Sequence, residues 1–282
     1  MTRTRLIVLT VITMAAFAGN SLLCRLALSH TSIDAASFTT VRLVSGAVVL
    51  ALLAMRQRGE QSTGGSWVSG AVLFAYAAAF SFAYRSLAAG TGALILFAAV
   101  QATMILWDLR HGSGLRPMQV AGLALALAGL VGLVLPGLAA PPLVGSLLMG
   151  ASGIAWGLYS LRGRGAVNPV RVTAGNFARA LPFTLVLSAA MAASTTFDAN
   201  GLLLSVASGA VTSGLGYVIW YSVLPSLKPT NAATIQLSVP VIAALGGIAF
   251  MDEALTLRLV LASAAILGGI ALVIRDKGRA KP

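Results

Sequence analysis

The sequence predicts an all-α, polytopic membrane protein with ten transmembrane helices arranged as two inverted five-helix repeats. Three observations lead to this prediction: few charged residues, a series of long apolar segments, and an internal repetition whose loops change charge. Of the 282 residues, 58% are hydrophobic and only 9% are charged. Soluble domains carry about 25% charged residues, so this composition excludes a soluble fold because too little polar surface would face water.

Long segments without any charged residue recur along the chain. They match or exceed the ~20 apolar residues that cross a hydrocarbon core ~30 Å thick, and the clearest are 6–24, 61–84, 86–107, 202–227 and 229–251. A helix is predicted for each because it bonds its backbone polar groups internally, as lipid requires. The predicted spans are 6–28, 33–55, 66–88, 90–109, 116–136, 143–162, 168–192, 200–223, 229–251 and 257–275.

The basic residues predict how these spans are oriented. An even number of spans places both termini on one side of the membrane, and most of the 19 Lys and Arg residues fall on that side. Basic residues concentrate in cytoplasmic loops, so both termini are predicted to be cytoplasmic. The same bias accounts for the net charge of +12. A nucleic-acid partner is not expected, because the sequence has no basic stripe interleaved with aromatic residues.

The second half of the chain repeats the first. Residues 153–162 follow the pattern of residues 16–25, an apolar helix with an aromatic residue and a glycine followed by an arginine. In the same alignment, Arg42 falls on Arg179. Because five spans per copy is an odd number, the second copy must be inverted relative to the first.

The loop charges agree with an inverted second copy. The loop at 110–116 is basic, whereas its counterpart in the second copy contains Asp252 and Glu253 and is acidic. Inverted repeats are typical of secondary transporters, whose substrate sites lie near the membrane midplane between the repeats. The predicted halves are residues 1–138 and 139–282.

These patterns resemble the drug/metabolite transporter superfamily, and within it the EamA-type ten-helix permeases. The shared motifs are an aromatic-Gly pattern with a basic residue in the first helix of each half, a mid-helix arginine in the second, and a closing Pro, Glu and Gly-Gly. They correspond to residues 16–28 and 154–162, Arg42 and Arg179, Pro240, Glu253 and Gly268-Gly269. The resemblance covers the whole chain. The first half departs from it, since Gln101 replaces the Pro and Gly114 replaces the Glu, which argues against equivalent functional residues in the two halves.

The resemblance implies that helices one to four of each half surround a central cavity, with the fifth helices at the periphery. The sequence looks most like bacterial exporters of aromatic and other amino acids, which implies amino-acid export across the cell inner membrane by alternating access. The alternatives are a multidrug or other metabolite carrier of the same superfamily and, from another class, a non-transporting membrane enzyme or scaffold. The expected partners are a small-molecule substrate and membrane lipid, in a monomer or homodimer. The basic tail from Arg275 is expected to be a solvated topology anchor, with binding of anionic lipid as the alternative.

Two arginines lie near the middle of predicted spans. A charged Arg at the membrane centre costs at least ~2.5 kcal/mol, so Arg42 and Arg179 must each face a partner or a wet cavity. One interpretation is attraction of a substrate carboxylate, and the other is a structural arginine that bonds backbone carbonyls. Their equivalent positions in the two halves favour the structural interpretation.

Amide and aromatic side chains within the spans are the candidate substrate-binding residues. A buried amide needs a hydrogen-bond partner, and aromatic rings stack against planar or apolar groups. The alternatives are bonding between neighbouring helices and ordinary core packing. Tyr76 shares an i, i+4, i+8 stripe with Phe80 and Tyr84, but its place near a span end predicts an interface residue. The candidates are Phe17, Asn20, Phe80, Tyr84, Gln101, Trp156, Tyr159, Tyr217, Trp220 and Gln236.

Catalytic and metal-binding residues are not predicted. His30 and His111 lie near span ends, Cys24 is the single cysteine, and the sequence has no metalloprotease or nucleophile-elbow pattern. No cofactor is expected. Asp34, Asp108, Asp198, Asp252 and Glu253 fall at span ends or in loops, whereas ion-coupled carriers commonly place a carboxylate in the path. The expectation is therefore transport down a gradient, or coupling through a site that the sequence does not identify.

Overall fold

The structure is a computed structural model that describes residues 1–57, 64–111, 116–135, 137, 140–163, 166–227 and 229–277. Within these ranges the chain is helical and contains no strand. Gly114, the predicted division between residues 138 and 139, and the basic tail beyond residue 277 lie outside the described residues. The helices are α1 (Arg3–His30), α2 (Ala35–Met55), α3 (Trp67–Tyr84), α4 (Ala89–Arg110), α5 (Pro117–Val134), α6 (Leu143–Arg162), α7 (Pro169–Ala190), α8 (Ala199–Ser226), α9 (Pro229–Gln236 and Ser238–Met251, interrupted at Leu237) and α10 (Leu257–Lys277).

Composition and length explain why these segments are membrane helices. Among the described residues, nine helices are long and apolar enough to cross a membrane. The remaining long helix, α7, has 22 residues but carries Arg171, Asn176 and Arg179. Its polar side chains bond to other parts of the bundle, as described below. Large apolar side chains such as Val48, Val131 and Phe250 are exposed on the outside of the bundle, as expected for a surface in contact with lipid.

Helix contacts follow a two-fold pattern that relates each helix to the one five positions later. The helices α2 and α7, α4 and α9, and α5 and α10 each contact their own counterpart. The α1–α8 contact is matched by α6–α3, the α1–α9 contact by α6–α4, and the α2–α8 contact by α7–α3. Because each half contributes five helices, this pattern relates halves of opposite orientation. The predicted arrangement of two inverted five-helix repeats is therefore confirmed.

The fifth helices of the two halves pack against each other at the periphery. A Cβ atom added at Gly122 would lie 2.6 Å from the carbonyl oxygen of Gly269, and one at Gly129 would lie 2.8 Å from Cβ of Ala265. Small residues let helices approach closely where lipid supplies no hydrophobic driving force. Only Gln119, Gly122, Gly129 and Leu133 of α5 are buried, so α5 and α10 form a pair outside the main bundle, as the resemblance implied.

The helix α8 changes its hydrogen-bonding pattern in the middle of the bundle. It runs as an α-helix over Ala199–Val206, as a π-helix over Ala207–Leu215, and again as an α-helix over Gly216–Val223 before a closing 3₁₀ turn. The π segment crosses α2 at glycines. A Cβ atom at Gly209 would overlap the carbonyl oxygen of Arg42 and Oγ of Ser45, and one at Gly46 would lie 2.6 Å from the Phe177 ring. This close crossing joins the two halves beside the cavity.

Candidate substrate cavity

A small cavity lies between the two halves at the centre of the bundle. Its walls come from α1, α3 and α4 of the first half and from α6 and α8 of the second. The cavity volume is about 20 Å³, which is room for a water molecule and not for an amino acid. The structure therefore holds the cavity in a closed form. The lining residues are Phe17, Asn20, Ser21, Tyr76, Phe80, Leu96, Phe97, Trp156, Thr212 and Tyr217.

Aromatic rings form a connected wall around this cavity. The Trp156 ring lies 4.8 Å from Tyr76 and 5.1 Å from Tyr217, measured between ring centroids. The Phe17 ring meets Tyr217 edge-on at 6.0 Å. These separations are those of favourable aromatic pairs. A flat or apolar group that enters between the two halves would replace some of these ring–ring contacts by contacts between the rings and the group.

Asn20 is the polar centre of the cavity. Its Nδ2 donates to Tyr76 Oη at 3.2 Å. Its Oδ1 accepts from Ser208 Oγ at 2.8 Å and lies 3.4 Å from Thr212 Oγ1. Ser208 and Thr212 belong to the π segment of α8, so one amide links α1 to α3 and to the opposite half. The amide is satisfied where an unbonded one would be costly.

Arg42 lies directly behind the cavity wall and is buried, with 1% of its surface exposed. Its Nη2 donates to Tyr76 Oη at 3.0 Å. Its guanidinium carbon lies 4.9 Å from the centroid of the Phe80 ring and 5.2 Å from that of Tyr76, within the range of cation–π attraction. Its Nε and Nη1 atoms are buried without a hydrogen-bond partner. The cation is thus held by two cavity-lining rings and is incompletely satisfied.

Arg179 has a different environment, although it is the counterpart of Arg42 in the repeat. It is half-buried, and its Nη1 donates to the carbonyl oxygens of Gly64 at 2.9 Å and Gly175 at 3.0 Å. This is the structural arrangement considered from the sequence. Arg42 instead donates to a tyrosine hydroxyl, so the two arginines do not share this backbone-bonding arrangement, and the role of Arg42 stays a prediction. The two environments differ because α2 faces the π segment of α8, whereas Arg179 on α7 faces the chain that enters α3.

Five of the candidate residues line the cavity: Phe17, Asn20, Phe80, Trp156 and Tyr217. Three more lie one layer outside it. The Trp220 ring is 5.9 Å from Phe17, the Tyr84 ring is 4.7 Å from Phe80, and the Tyr159 ring stacks 5.5 Å from Trp156. Substrate binding by these residues stays a prediction, and the structure adds that five of them line the cavity while three lie one layer behind it.

The two glutamines lie away from the cavity. Gln101 lines a separate apolar pocket between α4, α5 and α10, together with Ala98 and Ile105. Helical periodicity explains this, since Leu96 and Phe97 occupy the face of α4 that reaches the cavity. Gln236 is half-buried at the end of the first segment of α9. In this form of the protein neither amide lies at the candidate substrate site.

Tyr76 corrects the expectation of an interface residue. It is 4% exposed, and its hydroxyl accepts hydrogen bonds from both Asn20 and Arg42. Its stripe with Phe80 and Tyr84 was the signal for this position. The sequence reasoning also missed Ser208 and Thr212, whose spacing of four residues places them on one helical face.

An ion pair joins the two halves at the end of the bundle where α1 ends. This end is here called the outer end, because the predicted topology places it on the side of the membrane away from the cytoplasm. Arg25 Nε lies 3.2 Å from Glu253 Oε1, and Arg25 Nη1 donates to the carbonyl of Tyr84 at 3.0 Å. Both carboxylate oxygens of Glu253 accept from the backbone N–H of Ala89, at 3.0 and 2.8 Å. A negative group at the first turn of α4 is favourable. The basic residue of the opening motif and the acidic residue of the closing motif therefore meet.

Two aspartates form a second connection at the outer end. Asp34 caps α2 by accepting from Ala36 and Ser37, and its Oδ2 also accepts from the N–H of Thr196 at 2.9 Å. Asp198 caps α8 by accepting from Gly201, and its Oδ2 accepts from the N–H of Ser32 at 2.7 Å. Each carboxylate thus begins a helix in its own half and holds a loop of the other half.

These hydrogen bonds control the acidity of both aspartates. For Asp34, burial raises the pKa, but the hydrogen bonds from Ser37, Thr196 and Ala36 outweigh burial, so the pKa lies below its ordinary value. For Asp198, hydrogen bonds from Gly201 and Ser32 lower the pKa to about 2. Both side chains are therefore charged at neutral pH.

The opposite end of the bundle, here called the inner end, is also closed. Arg162 Nε donates to Ser69 Oγ at 3.1 Å, and the backbone N–H of Ser66 donates to Asn176 Oδ1 at 2.9 Å. Arg171 Nη2 donates to the carbonyl of Gln57 at 2.7 Å. Side chains of α6 and α7 thus hold both ends of the loop between α2 and α3. Polar contacts thus join the two halves at both ends of the bundle.

Comparisons with known proteins agree with this architecture. A sequence profile of the EamA-like transporter family matches residues 4–135 and again residues 143–275. The chain is 54% identical over 278 residues to an uncharacterized protein of Pseudomonas aeruginosa, covering 98% of this chain and 97% of that one. It is 28% identical over 163 residues to an uncharacterized transporter of Archaeoglobus fulgidus, covering 56% and 58% of the two chains.

A solved crystal structure also matches this fold over almost the whole chain. It is 20% identical in sequence and superposes with a TM-score of 0.70, covering 99% of this chain and 100% of its own. At that identity the match concerns the fold alone.

Proposed function

The chain belongs to the EamA-like transporter family, and on this premise we propose that it exports amino acids, aromatic and other neutral ones, or related small metabolites across the cell inner membrane by alternating access. The observation that carries the proposal is the aromatic cavity between the two repeats, with Asn20 at its centre and contacts between the halves at both ends. Transport sites of inverted-repeat carriers lie at such a position. The bias of basic residues supports cytoplasmic termini.

Alternating access follows from the two sets of closing contacts. Release of the Arg25–Glu253 pair and the aspartate connections would open the outer end, while the contacts of Arg162 and Asn176 keep the inner end closed. The reverse combination would open the inner end. Asn20 contacts the π segment of α8, which belongs to the other half, so a substrate in the cavity touches both moving parts. A small-molecule substrate, membrane lipid, and a monomer or homodimer remain the predicted partners.

The test is counterflow in liposomes that contain only the purified protein. We expect labelled phenylalanine, threonine or methionine to exchange faster than in protein-free liposomes. Trp156→Ala should slow this exchange because it removes the ring that joins Tyr76 and Tyr217 across the cavity. Absence of exchange for all three amino acids would overturn the proposal.

A multidrug carrier is the second candidate, since an aromatic cavity also accepts planar drugs. The buried Arg42 cation beside this cavity disfavours the lipophilic cations that such carriers commonly export, because like charges repel strongly in a medium of low dielectric constant. Protein-dependent export of ethidium in preference to amino acids would favour this candidate instead.

A further inference from the structure

We propose that the cavity selects its substrate by a carboxylate, with Arg42 as counter-ion and the Tyr76 hydroxyl as hydrogen-bond donor, and that it has no charged partner for an ammonium group. The preferred substrate class is then a monocarboxylate with an aromatic or branched apolar body, whether or not it carries an amine. This inference rests on the proposed function and specifies its substrate.

Arg42 has the properties of a buried cation that can pair with an anion. It is buried, it is charged under all conditions that a protein tolerates, and two of its nitrogen atoms have no hydrogen-bond partner. Buried charges in proteins are ordinarily paired. The rings of Phe80 and Tyr76 give it only partial compensation. A carboxylate brought into the cavity would complete that compensation.

The hydroxyl of Tyr76 can donate a hydrogen bond to the same anion. It accepts one hydrogen bond from Arg42 and one from Asn20. A phenol oxygen has two acceptor positions and one O–H donor, so its remaining capacity is to donate. Because Tyr76 lines the cavity, an acceptor such as a carboxylate oxygen is the group that fits this donor. Tyr76 at the cavity wall and Arg42 directly behind it therefore form an anion-binding pair on one side of the cavity.

No described residue that lines the cavity is acidic. The acidic side chains that bond across the outer end, those of Asp34, Asp198 and Glu253, cap α2, α8 and α4 there and are engaged. An ammonium group in the cavity would therefore meet the Arg42 cation without a carboxylate to balance it. A monocarboxylate leaves the cavity neutral, a zwitterion leaves one positive charge, and an amine without a carboxylate leaves two. The charge balance ranks these three classes in that order.

Four compounds that share one aromatic body separate the contributions of the two charges. They are phenylalanine, 3-phenylpropionate without the amine, and phenylalaninamide and phenethylamine without the carboxylate. Each is tested as an inhibitor of phenylalanine counterflow in proteoliposomes. We expect 3-phenylpropionate to inhibit at least as strongly as phenylalanine and both amines to be at least about tenfold weaker, as for the loss of a charge-assisted hydrogen bond. Inhibition by the amines as strong as by 3-phenylpropionate would overturn the inference.

Two variants connect this selectivity to the named residues. In Arg42→Gln and in Tyr76→Phe, inhibition by 3-phenylpropionate should weaken about tenfold or more, while weak inhibition by phenethylamine stays unchanged or improves. Arg258→Gln is the matched control, because Arg258 bonds the carbonyl of Leu133 at the periphery. Tyr76→Phe keeps the ring and serves as the test if Arg42→Gln does not fold.

The outcomes also distinguish this inference from the proposed function. If phenylalanine exchanges and the variants keep the selectivity of the native protein, carboxylate selection by Arg42 and Tyr76 is wrong and transport stands. If no compound exchanges or inhibits, the proposed function is wrong, and the inference falls with it.

Discussion

The polar chemistry of the cavity depends on a single amide. Asn20 donates to Tyr76 and accepts from Ser208, so it connects α1 with one helix of each half. It supplies one of the two hydrogen bonds that the Tyr76 hydroxyl accepts, the other coming from Arg42, and together these two donors direct the hydroxyl to donate elsewhere. Asn20 has nearly the same shape as an aspartate but is neutral, so it leaves the charge of Arg42 unbalanced.

Asn20→Asp tests this arrangement at the scale of one residue. The new carboxylate lies within reach of the Tyr76 hydroxyl and gives Arg42 a permanent counter-ion. We expect the affinity for carboxylate substrates to fall about tenfold or more, because the substrate must now displace that carboxylate. Counterflow measures the change, and thermal unfolding in detergent should show a fold as stable as that of the native protein. Unchanged substrate affinity would contradict the role given to Asn20 and Arg42.

At the scale of elements, the crossing of α2 and the π segment of α8 joins the two halves beside the cavity. The crossing is close because Gly46 and Gly209 have no side chains. A π segment within an α-helix is unusual and frequently marks a functional site. Here it brings Ser208 and Thr212 to Asn20 while Gly209 lies against the backbone of α2. Local geometry and site chemistry thus come from the same nine residues.

Gly209→Ala should disturb both the helix crossing and the chemistry of the site. The added Cβ would overlap the carbonyl oxygen of Arg42, and such overpacking typically costs about 1–3 kcal/mol. Gly150→Ala in α6 is the matched control, since a Cβ there has no atom within 4 Å and alanine favours a helix by up to about 1 kcal/mol. Thermal unfolding in detergent should show a lower midpoint for Gly209→Ala alone. Equal midpoints would show that the crossing adapts.

The whole molecule is two interlocked halves, and the proposed mechanism requires them to separate alternately at the two ends. Every extensive contact in the two-fold pattern, such as that of α3 with α6 and α7, joins helices of different halves. We therefore expect the two halves to separate at the polar contacts of the two ends rather than at the apolar helix contacts that lie between those ends. The native Cys24 is a suitable reporter, because it is fully buried and adjoins Arg25 near the outer end.

Glu253→Gln should loosen the outer end. It removes the charge that pairs with Arg25 and holds the N-terminus of α4. We expect a membrane-impermeant maleimide to label Cys24 about tenfold faster than in the native protein, as for loss of a charge-assisted hydrogen bond. Cys24→Ser measures background labelling, and Arg258→Gln should leave the rate unchanged. Equal rates in Glu253→Gln and the native protein would exclude this ion pair as an outer closure.

The aspartate connections predict a dependence on pH. Because the folded-state pKa values of Asp34 and Asp198 are lowered, their stabilisation is present above the ordinary pKa of about 3.9. It is lost as the pH falls through the folded-state pKa, about 2 for Asp198. Their contribution to the thermal midpoint in detergent should thus be constant from about pH 8 to pH 5 and decline from about pH 4 towards pH 2.

Asp198→Asn should remove part of that decline, whereas Asp252→Asn at the exposed end of α9 should not. A decline of the same size in Asp198→Asn and in the native protein would show that the connection does not contribute to the stability of the outer end.

Residues of the candidate site were predictable where the type of side chain and the helix face that carries it decide whether the residue lies at the cavity. Phe17, Asn20, Phe80, Trp156 and Tyr217 were predicted at the cavity and line it. Tyr76 was misplaced because its distance from a span end is a local property, while its burial depends on contact with α1 and α6. Gln101 lies away from the cavity in this form for the same reason, since the face of α4 that it occupies meets α5 and α10.

The sequence by itself determined the membrane environment, the helical spans and the inverted repeat, because these follow from local apolar length, charge and the parity of the spans. Only the tertiary structure decided that Arg42 and Arg179 differ, that Arg25 meets Glu253, and that Ser208 bonds Asn20. Those outcomes depend on which helix faces meet across the two halves. Apolar segments pack through shape and small residues, and that information is not contained in the polarity of any one segment.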